Sequence, residues 1–213
     1  MQALRSLGAR SVPVISRGGE YVFAQVLSDV VSFLGLDETT APALDPPVLA
    51  ARLDRNLAAA VRFVAQMPDE HLERQLPNRP RSWRVLMHHV FQVPESYLDF
   101  EEAVRPFEYE NLVAPPPGDL VTSADIARFG ERVRARFNAW WARVSGGDFA
   151  VTVPTYFGDT TRHELLERTV WHSTQHTRQV ASLLEQAGIV PDQPLGPEDL
   201  AGLPLTEKVW DES

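Results

Sequence analysis

Residues 161–187 read TRHELLERTVWHSTQHTRQVASLLEQA, a run long enough for about seven helical turns with neither proline nor glycine inside it and Gly188 placed to stop it. Leu165 and Thr169 precede His172 and His176 on one face, and Val180 and Leu183 follow them. Both imidazoles are therefore expected to point inward. Two rings one turn apart can reach a single ion through nitrogens about 2.0–2.1 Å from it. The segment His172-Ser173-Thr174-Gln175-His176 has no glutamate after its first histidine, so it does not match the zinc-protease pattern His-Glu-x-x-His.

A second helix is expected over 82–104, with Ser82 as its N-cap and Val85, Leu86, Val90, Val93, Tyr97 and Leu98 as its apolar stripe. His89 shares that stripe. His88 keeps company with Arg84 and Gln92, so it is expected to face outward. Pro94 predicts a kink near Val90. Three inward imidazoles with no partner would cost several kcal/mol, so something must satisfy them. A hydrogen bond to a carbonyl or carboxylate is the ordinary answer for one buried histidine. Three from two helices point instead to a divalent metal with coordination positions left open, the pattern of catalytic sites. His71, in a polar stretch, reads as solvated, and His163, in the first turn of its helix, as exposed or capping.

Outward from these two helices, residues 48–66 carry Leu49, Leu53, Leu57, Val61 and Val64 on one stripe before Pro68. A further helix begins after Ser123 and carries Ile126, Phe129, Val133, Phe137, Trp140, Trp141 and Val144. Between them, 106–118 is proline-rich and long, which reads as a crossover or a lid. Residues 149–153 are expected to be extended, and the apolar tail after Pro191 to pack back on the helices. Residues 1–36 differ, with two strand-like runs around Ser16-Arg17-Gly18-Gly19 and then a short helix ending at Gly35, a ββα unit. The domain expectation is 1–36 as that appendage, 37–47 as linker and 48–213 as a metal-binding helical domain, mainly α overall.

The chain has 213 residues, a formal charge of -9, a pI near 5.1 and no cysteine. The charge opposes binding to nucleic acid or to an anionic membrane surface. No apolar run nears the roughly 18 residues of a membrane span, and the first residues lack a secretory pattern, so a cytoplasmic location is expected. Without cysteine, thiolate ligands, disulfides and a cysteine nucleophile are excluded, and any thiol must come from outside.

The stretches Ser82-Trp83-Arg84-Val85-Leu86-Met87-His88-His89-Val90 and Trp171-His172-Ser173-Thr174-Gln175-His176, with the closing Leu200-Ala201-Gly202-Leu203-Pro204 and Val209-Trp210, resemble the DinB-like family of four-helix metalloproteins over about residues 48–210. The resemblance implies an up-down-down-up four-helix bundle with 106–118 as crossover and a metal triad of His89, His172 and His176. Pro94 departs from the family pattern. Members of known activity include thiol-dependent enzymes, such as mycothiol-dependent maleylpyruvate isomerase and bacillithiol S-transferases. Ser11-Val12-Pro13, the hairpin and the helix after it are similar to the second half of a glutaredoxin. That resemblance implies a thiol-binding role for Val12 and Pro13, although the redox-cysteine half is absent and packing or dimerisation is the favoured use.

The functional expectation is a metal-dependent S-transferase or isomerase acting on a small electrophile, with glutathione or another low-molecular-weight thiol as nucleophile. Zinc stands first among the metals, with nickel, copper, iron or manganese open. Tyr97, Tyr156 and Arg178 are candidate catalytic residues and Gln179 a candidate cofactor contact, chosen as polar or aromatic groups near the ligand helices. The alternatives are a metal-hydroxide hydrolase of small esters or phosphoesters, and a non-catalytic metal-binding stress-response module. A homodimer is expected from the exposed aromatic content of the 123–144 region.

Overall fold

The computed structural model describes residues 14–23, 27–37, 40–76 and 80–210 and is mainly helical. Strands β1 (Val14–Arg17) and β2 (Glu20–Phe23) pair antiparallel, turning through Gly18 at φ +65°, and α1 (Leu27–Leu34) follows. Val12 and Pro13 lie outside the described residues.

Four long helices form the body: α2 (Pro46–Gln66), α3 (Trp83–Glu101), α5 (Ser123–Val144) and α6 (Arg162–Gln186), with the short α4 (Tyr109–Val113) between α3 and α5. Their ends are marked by local chemistry. Proline opens α2, the Ser82 hydroxyl accepts from the Val85 amide at the start of α3, and Thr122 with Asp125 and Thr161 with Glu164 form capping boxes on α5 and α6. Helix α2 packs on α5 and α6, and α3 packs on the same two, so one core runs between all four. Leu53, Leu57, Phe63, Leu86, Phe91, Tyr97, Ile126, Phe137, Trp140, Leu165 and Leu183 fill it.

Polar contacts tie the helix ends together. Near the start of α6, His163 Nε2 donates to Leu44 O at 2.8 Å, just ahead of α2. Gln66, at the end of α2, donates to Val190 O beyond the end of α6. Asp99 and Glu102 at the end of α3 take Arg136 and Arg143 from the second half of α5. Arg134 of α5 forms a two-pronged pair with Asp54 of α2.

Several details depart from the sequence reading. The extended piece near 149–153 is one arm of a second hairpin, β3 (Thr152–Thr155) with β4 (Gly158–Thr161). Its partner strand, Gly-Asp-Thr-Thr, has no apolar alternation to announce it. Helix α3 does continue through Pro94, which lies inside it as expected. The aromatic residues of α5 do not form an exposed face: Phe129, Phe137 and Trp140 are buried and Trp141 packs on the core, so the dimer expectation loses that support. Among the described residues, no helix is long and apolar enough to cross a membrane.

The tail does return to the body. A short helix, α7 (Pro197–Leu200), places Asp199 against Arg55. The following strap lays Leu203, Leu205 and Trp210 on the core, and Trp210 Nε1 donates to Ser182.

Candidate metal centre

Helices α3 and α6 bring His89, His172 and His176 together, with one nitrogen of each lying within 4.8 Å of the others. The Nε2 atoms of His89 and His172 are 3.3 Å apart, and those of His176 and His172 are 3.0 Å apart. His89 is buried, while His172 and His176 keep part of their surface, which leaves an approach for a guest.

Two glutamines determine which nitrogen carries the proton in two of the three rings, those of His89 and His176. The Gln92 Nε2 group donates to Asn111 O at 3.0 Å and Ala114 O at 2.9 Å, which turns its Oε1 towards His89 Nδ1 at 3.2 Å. Gln179 repeats the device on the other helix. Its Nε2 donates to Val209 O at 3.1 Å, and its Oε1 faces His176 Nδ1 at 2.7 Å. A backbone carbonyl only accepts, so the amide orientations follow, and each Nδ1 must be the N–H donor. The lone pairs of His89 and His176 are therefore on Nε2, aimed into the cluster. His172 has a single Nε2 to set between those two lone pairs, and one proton there satisfies one neighbour only.

A cation resolves that conflict, and the spacing suits it. Nitrogens about 2.0–2.1 Å from one ion are about 2.9 Å apart at a right angle and about 3.4 Å apart at the tetrahedral angle. The observed 3.0 and 3.3 Å fall between those limits. Three neutral nitrogens complete neither a tetrahedral nor an octahedral sphere, so a bound ion would keep positions for other ligands.

The electrostatics favour the neutral, ligating form. Burial foremost holds His89 down to about 4, although the hydrogen bond with Gln92 pulls the other way. Burial, then the charges of His89, Arg168 and Arg81, holds His172 at about 3. His176 lies well below the usual imidazole range, again through burial first and the two neighbouring rings next.

The helices that carry the three imidazoles are stitched together beside them. Pro94 has no N–H to offer the carbonyl four residues back, that of Val90. Ser173 Oγ of α6 donates to Val90 O at 3.0 Å instead, and Asn56 Nδ2 of α2 donates to Ser173 Oγ at 2.9 Å. Val90 follows His89 and Ser173 follows His172, so the carbonyl released by the proline fixes the register of the two histidine-bearing segments.

The other histidines separate from this centre. His88 does not face outward: it is buried, stacked at 5.3 Å on Phe129 of α5. The reason is that α3 has α6 on one side and α5 on the other, so its two adjacent histidines are covered by different helices. Burial, then the His89 charge, lowers its pKa to about 4. His71 is half-buried, edge-on to Trp83 at 5.9 Å, and not simply solvated. His163 ties the chain ahead of α2 to α6, as described.

Of the outer candidates, Gln179 contacts the triad and acts by orienting His176. Arg178 donates to the carbonyls of Thr206 and Glu207 in the tail. Tyr156 sits at the tip of the β3–β4 hairpin, stacked at 6.0 Å on Phe107 and 5.6 Å from the Tyr109 ring. Tyr97 is fully buried, 5.3 Å from Trp140. Gln92 escaped the sequence reading although its signal is present: His89-Val90-Phe91-Gln92 and His176-Thr177-Arg178-Gln179 repeat one His-x-x-Gln spacing on both ligand helices. The spacing alone does not suffice, because Gln175, three residues after His172, turns to the tail and donates to Val209 O at 2.8 Å.

No curated protein matches the chain at a significant level. The model of the DinB family matches residues 49–200, a stretch that holds all three histidines and both orienting glutamines. With most of its length so matched, the chain belongs to the DinB family.

Proposed function

We propose that the protein is a metal-dependent enzyme in which His89, His172 and His176 hold a divalent ion, zinc first, and a low-molecular-weight thiol reacts there with a small electrophile by S-transfer or thiol-assisted isomerisation. The observation that carries the metal is the convergence of three Nε2 atoms, two of them held as acceptors by Gln92 and Gln179. When bound, the ion supplies Lewis acidity, lowering the pKa of a thiol ligand and holding the thiolate beside the substrate. The chain contains no cysteine, so the thiol is external. Gln92 and Gln179 keep the nitrogen lone pairs aimed at the ion, and the Ser173–Val90 bond keeps the two helices in register.

The domain that carries this chemistry is proposed to span 48–213, with 37–47 as linker and 1–36 as appendage. Its course is proposed as up-down-down-up. In support, Leu44 with His163 and Gln66 with Val190 match like ends of α2 and α6, Asp99 with Arg136 matches like ends of α3 and α5, and Glu101 with Arg162 matches opposite ends of α3 and α6.

Elemental analysis of protein purified without chelator or affinity-tag nickel is expected to find a first-row divalent metal, and His172→Ala to lose it. Gln179→Leu should weaken metal binding about 10–100-fold, the usual cost of losing a partner behind a metal ligand, and Gln179→Glu should recover most of it. Metal-loaded protein should consume glutathione with a chloronitrobenzene electrophile, and chelated protein should not. Turnover of nitrophenyl esters without thiol would replace the thiol reading with hydrolysis. Absence of metal, with a melting temperature indifferent to chelator, would overturn the metal itself.

A further inference from the structure

Residues 206–210 lie along one stripe of α6, formed by Gln175, Arg178, Gln179 and Ser182 at helical spacing. Arg178 donates to Thr206 O at 2.9 Å and to Glu207 O at 3.1 Å. Gln175 Nε2 donates to Val209 O at 2.8 Å, and Gln179 Nε2 donates to the same oxygen at 3.1 Å. Trp210 Nε1 closes the series on Ser182 Oγ at 3.1 Å. Thr206, Glu207 and Lys208 are exposed, so this strap is held to α6 largely through its carbonyls and through the Trp210 side chain.

The two orienting glutamines are secured differently. The Gln92 amide donates to two carbonyls, Asn111 O and Ala114 O. Among the described residues the Gln179 amide donates to Val209 O alone, and that oxygen also serves Gln175. The two ends of a side-chain amide are nearly alike in shape, so once the carbonyl leaves, Gln179 can turn over and offer its N–H groups to His176 Nδ1. That nitrogen then accepts, the ring proton moves to Nε2, and the triad loses a lone pair. With the strap docked the same flip would set the amide oxygen against Val209 O, two acceptors with no proton between them.

We infer that docking of the 206–210 strap and occupation of the triad by metal are coupled: the strap, through Val209 O and Gln179, holds His176 in its ligating tautomer, and a bound ion in turn holds the strap down. The inference rests on the metal reading above and adds a metal-responsive element to it. Val209 is then a positioning residue that acts through its backbone. Coupling is reciprocal, so the factor by which the docked strap strengthens metal binding equals the factor by which metal suppresses strap opening. For one net hydrogen bond that factor is about fivefold.

The sequence supplies its own probe, because Lys208 is the one lysine of the chain and lies inside the strap. A lysine-specific endoprotease therefore cuts the full chain only between Lys208 and Val209. Where opening and closing are fast relative to cleavage, the rate follows the open fraction of the strap. Cleavage is followed by mass spectrometry and cobalt occupancy by the visible spectrum. Saturating cobalt should slow cleavage about fivefold in wild type. In Gln179→Leu, with cobalt raised until the site is again full, the slowing should disappear, because the ion still stabilises the fold but no longer communicates with Val209. The cleaved protein, freed of Val209 and Trp210, should bind cobalt about fivefold more weakly than the intact chain.

Equal cleavage rates with and without bound cobalt, whether both are fast or both immeasurably slow, overturn the inference while the metal reading stands. Equal slowing in wild type and Gln179→Leu overturns it as well, since the ion would then act on the fold as a whole and the strap would be structural only. Failure of the protein to bind cobalt overturns both readings together.

Discussion

Helices α3 and α6 bury two polar clusters against each other, about 18 Å apart along the helix axis, and the two are finished differently. At one pole Glu101 and Arg162 pair through two Nε contacts of 2.9 Å and a further, shorter contact from the terminal nitrogen, with the guanidinium 4.7 Å from the ring of Phe149 and 5.8 Å from that of Trp140. Opposite charges meet there and neutralise each other. At the other pole three acceptor-rich imidazoles face one another at 3.0 and 3.3 Å. A polar cluster complete in itself fixes the packing of two helices, whereas one that leaves lone pairs converging calls for a positive guest.

The strongest way to break this contrast is at the completed pole. Arg162→Met leaves the Glu101 carboxylate, only 4% exposed, without its counter-charge. Removing one partner of a buried pair costs about 3–5 kcal/mol, so urea denaturation should show a loss of that size. Metal content should persist in whatever fraction remains folded. A stable Arg162→Met protein that has lost its metal would mean that the two poles are not separate in function.

The unfinished pole should show itself through pH. In the metal-free fold His89 is held near 4 and His172 near 3, whereas an unfolded chain protonates its histidines near 6.5. The unfolded state therefore binds more protons between those values. Stability is fully present above about pH 6.5 and falls as pH drops towards 4, by on the order of 3 kcal/mol for His89 alone. Denaturation of apo-protein at pH 7, 6 and 5 measures this slope, and His172→Ala should flatten it. A pH-independent apo stability across that range would contradict the depressed imidazoles.

Much of this was legible in the residues. Spacing on the 161–187 run put His172 and His176 on one face, and the apolar neighbours of His89 put it with them, because helical periodicity alone decides which residues share a stripe. His88 was misread for the same reason: periodicity describes one buried stripe, while α3 is covered on two sides by α5 and α6. The strand Gly158–Thr161 was hidden because its burial comes from packing on α6 and not from alternation. The carbonyls of Asn111, Ala114 and Val209, which orient the glutamines, belong to segments remote in sequence, and no local pattern announces a backbone acceptor.

Pro94 offers a sharper probe of the join between the two ligand helices. Ser173→Ala removes the donor to Val90 O and the partner of Asn56 Nδ2, leaving buried polar groups unpaired at a cost of about 1–3 kcal/mol. Pro94→Ala restores an N–H that the Val90 carbonyl can accept from within α3. In the double variant the two changes should be less than additive, because the helix then supplies the bond that Ser173 supplied. Additive losses would mean that the proline and the serine act independently.

The smallest expected effect discriminates most between the poles. Tyr97 lies on α3 two turns beyond His89, in the completed cluster: burial first, then the Glu101 charge, raises the pKa of its phenol well above the usual value, and its hydroxyl makes no hydrogen bond of ordinary geometry among the described residues. Tyr97→Phe therefore removes a hydroxyl with no well-formed hydrogen bond among the described residues, and stability should change by about 1 kcal/mol or less. Metal content and thiol turnover should not change, because a fully buried ring beside Trp140 has no route to a ligand at the triad. If turnover instead fell tenfold with melting unchanged, the phenol would be acting on the reaction as the sequence reading expected. The pole that looks structural would then belong to the catalytic apparatus.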